Sequence, residues 1–578
     1  MSLLHTINSA EDVSLLGTED LLALSHECRQ FLIDTILKHG GHFAGNLGVV
    51  ELTVALLKVF NPADDPIIWD VGHQSYAYKV LTGRREHLKS IRSYGGIAGF
   101  PKRGENPADH FGTGHSSTAI SAALGMAMAS KIIGNDNNTH IAIVGDGALS
   151  GGMSFEALNN AAASKPNLLI IINDNQISID AGTGAMNEHL ANIQPGEPNL
   201  FTALNLDYHG PIDGHDLPLM LEKLQHLKSL KHPRVLHIKT TKGKGHAPAE
   251  AEQTKWHSTG KFVKIEARQS KESSKWHEVA GQCMLDIAKQ HRHVAGITPA
   301  MPSGSGLVNC FQTYPDRFFD TGIAEQHAVT FAAGLAASGI KPFLFIYSTF
   351  LQRGYDQVIH DIALQNLPVV ICIDRAGLVG EDGPTHHGAF DIPMLRCIPG
   401  LTILAPATAT ELYAMMQQAV YAEHPIVIRY PKGPVPELSW EFHREEMLTH
   451  PGLCLKEGEH TAVISTGNAT ALAHEAFNIN DTPAAHYHFP AIHPLRGDLF
   501  AQIGQHYAQI ITVEDGCIAG GFGESVSQYL YQQGFTGKIT HLGIPDAFIT
   551  HGSNDILYDE CGYSPEKIAK AIQLSFSQ

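Results

Sequence analysis

Short apolar runs rich in β-branched residues recur along the chain, most of them ending in glycine or a polar residue. Ile141-Ala142-Ile143-Val144 and Leu168-Leu169-Ile170-Ile171-Ile172 are the clearest. A run without polar alternation predicts a strand buried on both faces, as in a parallel sheet. Between these two, Met153 to Ala163 reads as a helix, broken by Lys165-Pro166-Asn167. Together they predict a βαβ unit whose strands end in Gly145-Asp146-Gly147 and Asn173-Asp174-Asn175. Open α/β sheets bind ligands at that carboxyl edge.

The same alternation of elements extends in both directions. Leu21, Leu22, Leu24, Phe31, Leu32, Ile36 and Leu37 sit at helical spacing, which predicts a helix over 18–38. A second helix is expected over 50–60 and a short strand from Ile67. Further on, strands are expected over 343–347, 369–374, 402–404 and 426–430, with a small-residue helix over 328–338 preceded by Glu325. Thr461 to Gly467 and Ile510 to Val513 begin a third pattern of this kind. Polar residues 265–276 read as a linker, and 440–450 mark a second junction. The expected fold class is α/β, with domains over 1–265, 275–440 and 441–578, each a mainly parallel sheet flanked by helices.

A chain of 578 residues is long for one domain, in keeping with that division. The net charge of −18 argues against a nucleic-acid partner. No apolar stretch is long enough to span a membrane, and the first residues carry no basic, then apolar, leader pattern. Eight scattered cysteines without a Cys-x-x-Cys fit a reducing cytoplasm. Most of the 35 histidines, His486 and His488 among them, are expected at the surface or as satisfied core residues.

The chemistry concentrates at the strand ends. Gly145 and Gly147 allow backbone N–H groups to approach an anion. Asp146 and Asn175 add a carboxylate and an amide oxygen, a pair suited to Mg²⁺ on a phosphate. A dinucleotide loop is disfavoured by Ser150 where a third glycine belongs, and a bare glycine turn would leave Asn175 unexplained. Three histidines, His42, His73 and His115, lie on glycine-flanked loops, which suggests one polar pocket for a phosphate or sugar. Arg375 and Arg429 end buried strands and are placed as a fork pair for a phosphate. The loop Gly380 to Gly388 carries an acid and a histidine. Gly520 to Gly523 lacks the Lys-Ser/Thr of a phosphate loop.

Gly-Asp-Gly followed by Asn-Asp-Asn resembles the thiamine-diphosphate fingerprint. Gly-Gly-His-Phe-Ala (40–44), Asp-Val-Gly-His-Gln (70–74), Leu-Thr-Gly-Arg-Arg (81–85) and Gly-His-Ser-Ser-Thr (114–118) precede it in order. With these the chain resembles, over nearly its whole length, the 1-deoxy-D-xylulose-5-phosphate synthase family of transketolase-like enzymes. The resemblance implies three transketolase-like domains, thiamine diphosphate and Mg²⁺ as cofactors, and a homodimer. It implies condensation of pyruvate with D-glyceraldehyde 3-phosphate, with loss of CO₂, toward isoprenoid, thiamine and pyridoxal precursors.

Residue by residue, the resemblance puts Asp146, Asn175 and the Ile177 carbonyl on the metal. His73, Gly114, His115, Ser116, Gly147, Ala148 and His246 lie along the cofactor, and Phe350 stacks on its pyrimidine. Glu325 hydrogen-bonds the aminopyrimidine and promotes the tautomer that activates the thiazolium. His42 and His73 face the substrate. Asp382 and His386 are substrate and proton-transfer residues, and Tyr347 and Arg353 lie near the donor or the acceptor. Three departures stand out. The chain is short between Asn175 and Gly210, position 246 is His where the family usually has Tyr, and Asn46 stands in a loop that usually reads Ala-Ser-Gly-Leu-Gly. The short segment and His246 leave the alternative of a transketolase or other carboligase with a different donor or acceptor. A catalytically silent cofactor-binding paralogue is a separate alternative, against which the intact Glu325, His42, His73, Arg375 and Arg429 argue.

Overall fold

Four parallel ladders join five strands into the first sheet of the computed structural model, in the spatial order Ile67–Trp69, His140–Gly145, Leu168–Asp174, Arg234–Lys239 and Asp207–Asp213. The structure describes residues 2–135, 137–177, 180, 182–259, 274–438, 440, 447–480 and 482–577. Most of the expected linker 265–276, and residues 441–446 of the second junction, lie outside the described residues.

The unbroken apolar runs have a direct structural reason. Ile141, Ile143, Leu169 and Ile171 face one core, with the helices Thr18–His39, Val50–Val59 and Leu217–Ser229. Ala142, Val144, Ile170 and Ile172 face the other, with Ala119–Ile132 and Gly152–Ser164. Each of these strand residues is fully buried, which stabilises the fold by roughly 1.5–3 kcal/mol per large side chain. A doubly covered sheet has no polar face, so period-2 alternation never appears. The helix Gly152–Ser164 ends where Lys165 turns left-handed at φ 50°.

The expected strands and helices are present, most with ends shifted by a residue or two. Two strands of the first sheet escape the apolar pattern. Asp207–Asp213 is a half-exposed edge with Gly210-Pro211 inside it, the position where a sheet tolerates proline. Arg234–Lys239 is interrupted by His237, which is buried but paired.

The second sheet has seven strands. Lys341–Tyr347 and Val370–Asp374 are central, with Val294–Thr298 and Phe318–Asp320 on one side and Ile426–Arg429 and Thr402–Leu404 on the other. These six run parallel, and Ala491–His493 closes the edge antiparallel to Thr402–Leu404. A third sheet of five strands runs Leu453–Lys456, Ala485–His488, Thr461–Ser465, Gln509–Cys517 and Lys538–Ile544. Only its first strand is antiparallel to its neighbour. The chain separates into two compact units: Met1–Gln269 with Gly322–Ala324, and Ser270–Thr321 with Glu325–Gln578. The first sheet lies in the former, the other two in the latter. No helix among the described residues is long and apolar enough to cross a membrane.

Candidate active site

Asp146 follows directly on the strand His140–Gly145 and opens a single helical turn. Its side chain is buried, and Oδ2 has no hydrogen-bond partner among the described residues. Burial, followed by the charge of Asp174, pushes its carboxyl up to about 7. The Lys242 side chain is also buried, which brings its ammonium down to about 8 against the opposing pull of Asp146 and Asp180. Asn175 leaves the neighbouring strand Leu168–Asp174. Its Oδ1 accepts the Ile177 N–H at 3.2 Å, and Gln176 at φ 62° turns the chain back. Among the described residues no group of three or more His, Cys, Asp or Glu could hold a metal by itself. One orphaned carboxylate oxygen, neutral oxygens and a lysine instead fit a hard cation whose other ligands come from phosphate.

Buried polar contacts hold these strand ends. Asp174 Oδ2 pairs with His237 Nε2 at 3.1 Å, and His237 Nδ1 meets the Tyr208 hydroxyl at 2.7 Å. Thr240 donates to Asn173 Oδ1 at 2.6 Å. Asp70, past the strand Ile67–Trp69, accepts the N–H groups of Ser117 (2.7 Å) and Ala119 (2.9 Å). That caps the helix Ala119–Ile132 and fixes the loop with Gly114, His115 and Ser116. Ser117, at φ 66°, donates to the Ala148 carbonyl at 2.7 Å and ties this loop to the turn after Asp146.

The histidine loops meet in the same unit. The ring of His73 lies 5.7 Å from that of His42 and 5.0 Å from that of His257, and His42 lies 5.2 Å from Phe100. Burial drives the His73 imidazole down to about 3, so it is neutral at physiological pH. His73 Nδ1, Gln74 Oε1 and Thr113 Oγ1 are buried without a hydrogen-bond partner among the described residues. Buried polar atoms left this way call for a ligand or water. Gly72, at φ 84°, is required here: a Cβ would fall 2.3 Å from Pro101 Cδ and 2.4 Å from Thr113 Oγ1. His246 sits edge-on to Phe43 (5.1 Å) and Trp256 (4.9 Å), with its Nδ1 likewise unpartnered.

In the second unit, Glu325 opens the helix Glu325–Ala337 and is buried. Burial raises its carboxyl, against the opposing charge of Arg353 at 3.9 Å. Phe350 stacks on Tyr347 (5.5 Å between centroids, 13°) and meets His386 edge-on at 5.6 Å. The Arg375 guanidinium covers the other partner of that stack, 3.7 Å from the Tyr347 centroid. Its Nη1 donates to Asp374 and, at 3.2 Å, to the Gly304 carbonyl. Arg429 is deeply buried: Nε donates to Asp391 at 3.0 Å and Nη2 to the Asp515 carbonyl at 2.8 Å. Asp382 lies 3.9 Å from Lys432. His386 Nδ1 pairs with Thr385 Oγ1 at 2.9 Å. The adjacent His387 is a framework residue, its Nδ1 accepting from Val379 N–H and its Nε2 facing the Thr550 carbonyl, both at 3.1 Å.

The expected residues therefore fall into two groups. Asp146, Asn175, Ile177, Gly147, Ala148, His42, His73, Gly114, His115, Ser116 and His246 belong to the first unit. Glu325, Tyr347, Phe350, Arg353, Arg375, Asp382, His386 and Arg429 belong to the second. Lys242 and His257 were not anticipated. The Lys-Gly-Lys-Gly run 242–245 was a signal for the first, since glycines around a lysine bring backbone and charge to one anion. His257, in a polar stretch after Trp256, had no signal of its own.

A three-layer α/β fold with these donor sets at its strand ends defines an enzyme of the transketolase-like, thiamine-diphosphate class. Comparison with known proteins makes this specific. The 1-deoxy-D-xylulose-5-phosphate synthase family matches residues 4–198 and 195–240, the transketolase pyrimidine-binding domain 272–437 and the transketolase C-terminal domain 452–568. The 1-deoxy-D-xylulose-5-phosphate synthase of Cytophaga hutchinsonii is 42% identical over 623 residues, covering 99% of this chain and 98% of its own. That of Thioalkalivibrio sulfidiphilus is 43% identical over 610 residues, covering 99% and 95%. That of Albidiferax ferrireducens is 44% identical over 590, covering 95% and 93%. The chain belongs to the 1-deoxy-D-xylulose-5-phosphate synthase family.

Proposed function

We propose that the chain condenses pyruvate with D-glyceraldehyde 3-phosphate, releasing CO₂ and forming 1-deoxy-D-xylulose 5-phosphate. The observation that carries this reading is the end-to-end match to synthases of that name. Thiamine diphosphate, when bound, supplies the electron sink for decarboxylation. Asp146, Asn175 and the Ile177 carbonyl hold Mg²⁺, and Lys242 adds positive charge toward the diphosphate. His73, His246, Gly114, His115, Ser116, Gly147 and Ala148 seat the cofactor. Phe350 packs on its pyrimidine, and burial raises the carboxyl of Glu325, which favours its protonated form there. His42 and neutral His73, with Asp382 and His386, orient substrate and move protons. Arg375 and Arg429 offer their remaining donors to the acceptor's phosphate, with Tyr347 and Arg353 nearby. We also propose the three-domain division 1–265, 275–440 and 441–578, a homodimer and a cytoplasmic location.

A single assay tests the reaction. Purified protein, thiamine diphosphate, Mg²⁺, ¹³C-labelled pyruvate and glyceraldehyde 3-phosphate are followed by NMR. Labelled deoxyxylulose phosphate with CO₂ release supports the synthase; untouched pyruvate overturns it. A second reading, a carboligase using a ketose phosphate donor, is favoured by the family match in two pieces meeting at 195–198, in the stretch where the sequence is short. Turnover of a ketose phosphate without CO₂ would select it.

A further inference from the structure

We propose that Asn46 is a positioning residue that sets the spacing of the His42 and His73 imidazoles. The inference rests on the synthase reading for the role of those rings, and on geometry alone for the positioning. Asn46 is fully buried in the single turn Ala44–Leu47. Its amide uses both ends. Nδ2 donates to the His42 carbonyl at 2.9 Å and to the His73 carbonyl at 2.8 Å. Oδ1 accepts the Tyr76 N–H at 2.7 Å. One side chain thus bridges the two histidine loops at the backbone of the histidines themselves.

Tyr76 closes the circuit. Its hydroxyl accepts the His42 N–H at 3.3 Å and lies 3.2 Å from His42 Nδ1. Asn46 therefore anchors both histidine backbones and, through Tyr76, holds the His42 ring in place. Gly45 completes the arrangement on the other side. A Cβ there would stand 3.0 Å from His73 Nε2 and 3.2 Å from its Cδ2. The absent side chain at 45 leaves the His73 ring its place, and the amide at 46 holds the loop that carries it.

Two variants press on this arrangement from opposite sides. Asn46→Asp keeps the acceptor for Tyr76 but turns a donor into a carboxylate against two carbonyls. Gly45→Ala keeps every hydrogen bond but crowds His73. The readouts are kcat/KM for pyruvate and the ¹⁵N imidazole signals of the cofactor-free, histidine-labelled protein, assigned with His42→Gln and His73→Gln. We expect kcat/KM to fall on the order of tenfold to a hundredfold in each. The His42 and His73 signals should both shift in Asn46→Asp and His73 chiefly in Gly45→Ala, with a melting temperature close to that of the parent for Gly45→Ala. Unmoved imidazole signals in folded Gly45→Ala and Asn46→Asp overturn the proposal. A parent protein that makes no deoxyxylulose phosphate overturns the synthase reading instead, and the NMR signals still decide the positioning.

Discussion

The carboxylate of Glu325 lies 3.9 Å from the guanidinium of Arg353, and the two pull its ionisation in opposite directions: burial raises it, Arg353 lowers it. Arg353 therefore sets how far the buried acid is raised. Removing that charge favours the protonated carboxyl, so Arg353→Met is expected to move the alkaline limb of kcat/KM upward, by about one pH unit. A pH–rate profile checks the direction.

Glu325→Ala removes the acid itself. Turnover is expected to fall by about 10²- to 10⁴-fold, the usual contribution of a positioned acid or base. The fold should persist, because Glu325 sits in the first turn of its helix rather than in the apolar core. Product NMR and thermal melting, run together, separate the two effects.

Asp146 trades stability for binding. Its folded carboxyl is raised to about 7. A raised carboxyl stabilises the fold below its unfolded value and loses that contribution as pH rises through the folded one. In metal-free protein, Asp146→Asn is thus expected to gain stability over the parent between pH 4 and 8, by about 2 to 4 kcal/mol. The same variant should lose Mg²⁺-dependent binding of thiamine diphosphate. Denaturant titrations with chelator test the first outcome, calorimetry the second.

His486 carries the opposite sign. It is buried in the third sheet, hydrogen-bonded to Ser465 at 2.8 Å and stacked on Phe477 at 5.2 Å, and burial takes its imidazole down to about 3. Its contribution is fully present above the unfolded value near 6.5 and is lost as pH falls toward 3. His486→Gln should flatten the loss of stability between pH 7 and 4, by about 3 kcal/mol or less. Equilibrium unfolding at several pH values measures it.

His486 also shows where sequence reasoning ran short. Apolar runs such as Ile141 to Val144 announced their strands because both faces of the sheet are covered. Ala485–His488 is equally buried, yet it reads as polar because its histidines are satisfied internally, His486 by Ser465 and His488 by Glu411 and Thr470. His237 hides Arg234–Lys239 in the same way.

At the site, motifs with fixed neighbours, Gly-Asp-Gly and Asn-Asp-Asn, were legible. Lys242, His257 and the bracing roles of Asp70 and Asn46 were not. Their significance lies in which distant loops they touch, and no local pattern encodes that.

The antiparallel pairing of Ala491–His493 with Thr402–Leu404 has a consequence for biosynthesis. The last strand of the second sheet is supplied by chain that a ribosome delivers on the order of ten seconds after Leu404. Until then the sheet carries an open edge, the kind of edge that recruits foreign strands. A chain that stalls or is cut before Ala491 would leave Thr402–Leu404 uncovered, so truncations just before and just after Ala491–His493 are expected to differ in their tendency to aggregate.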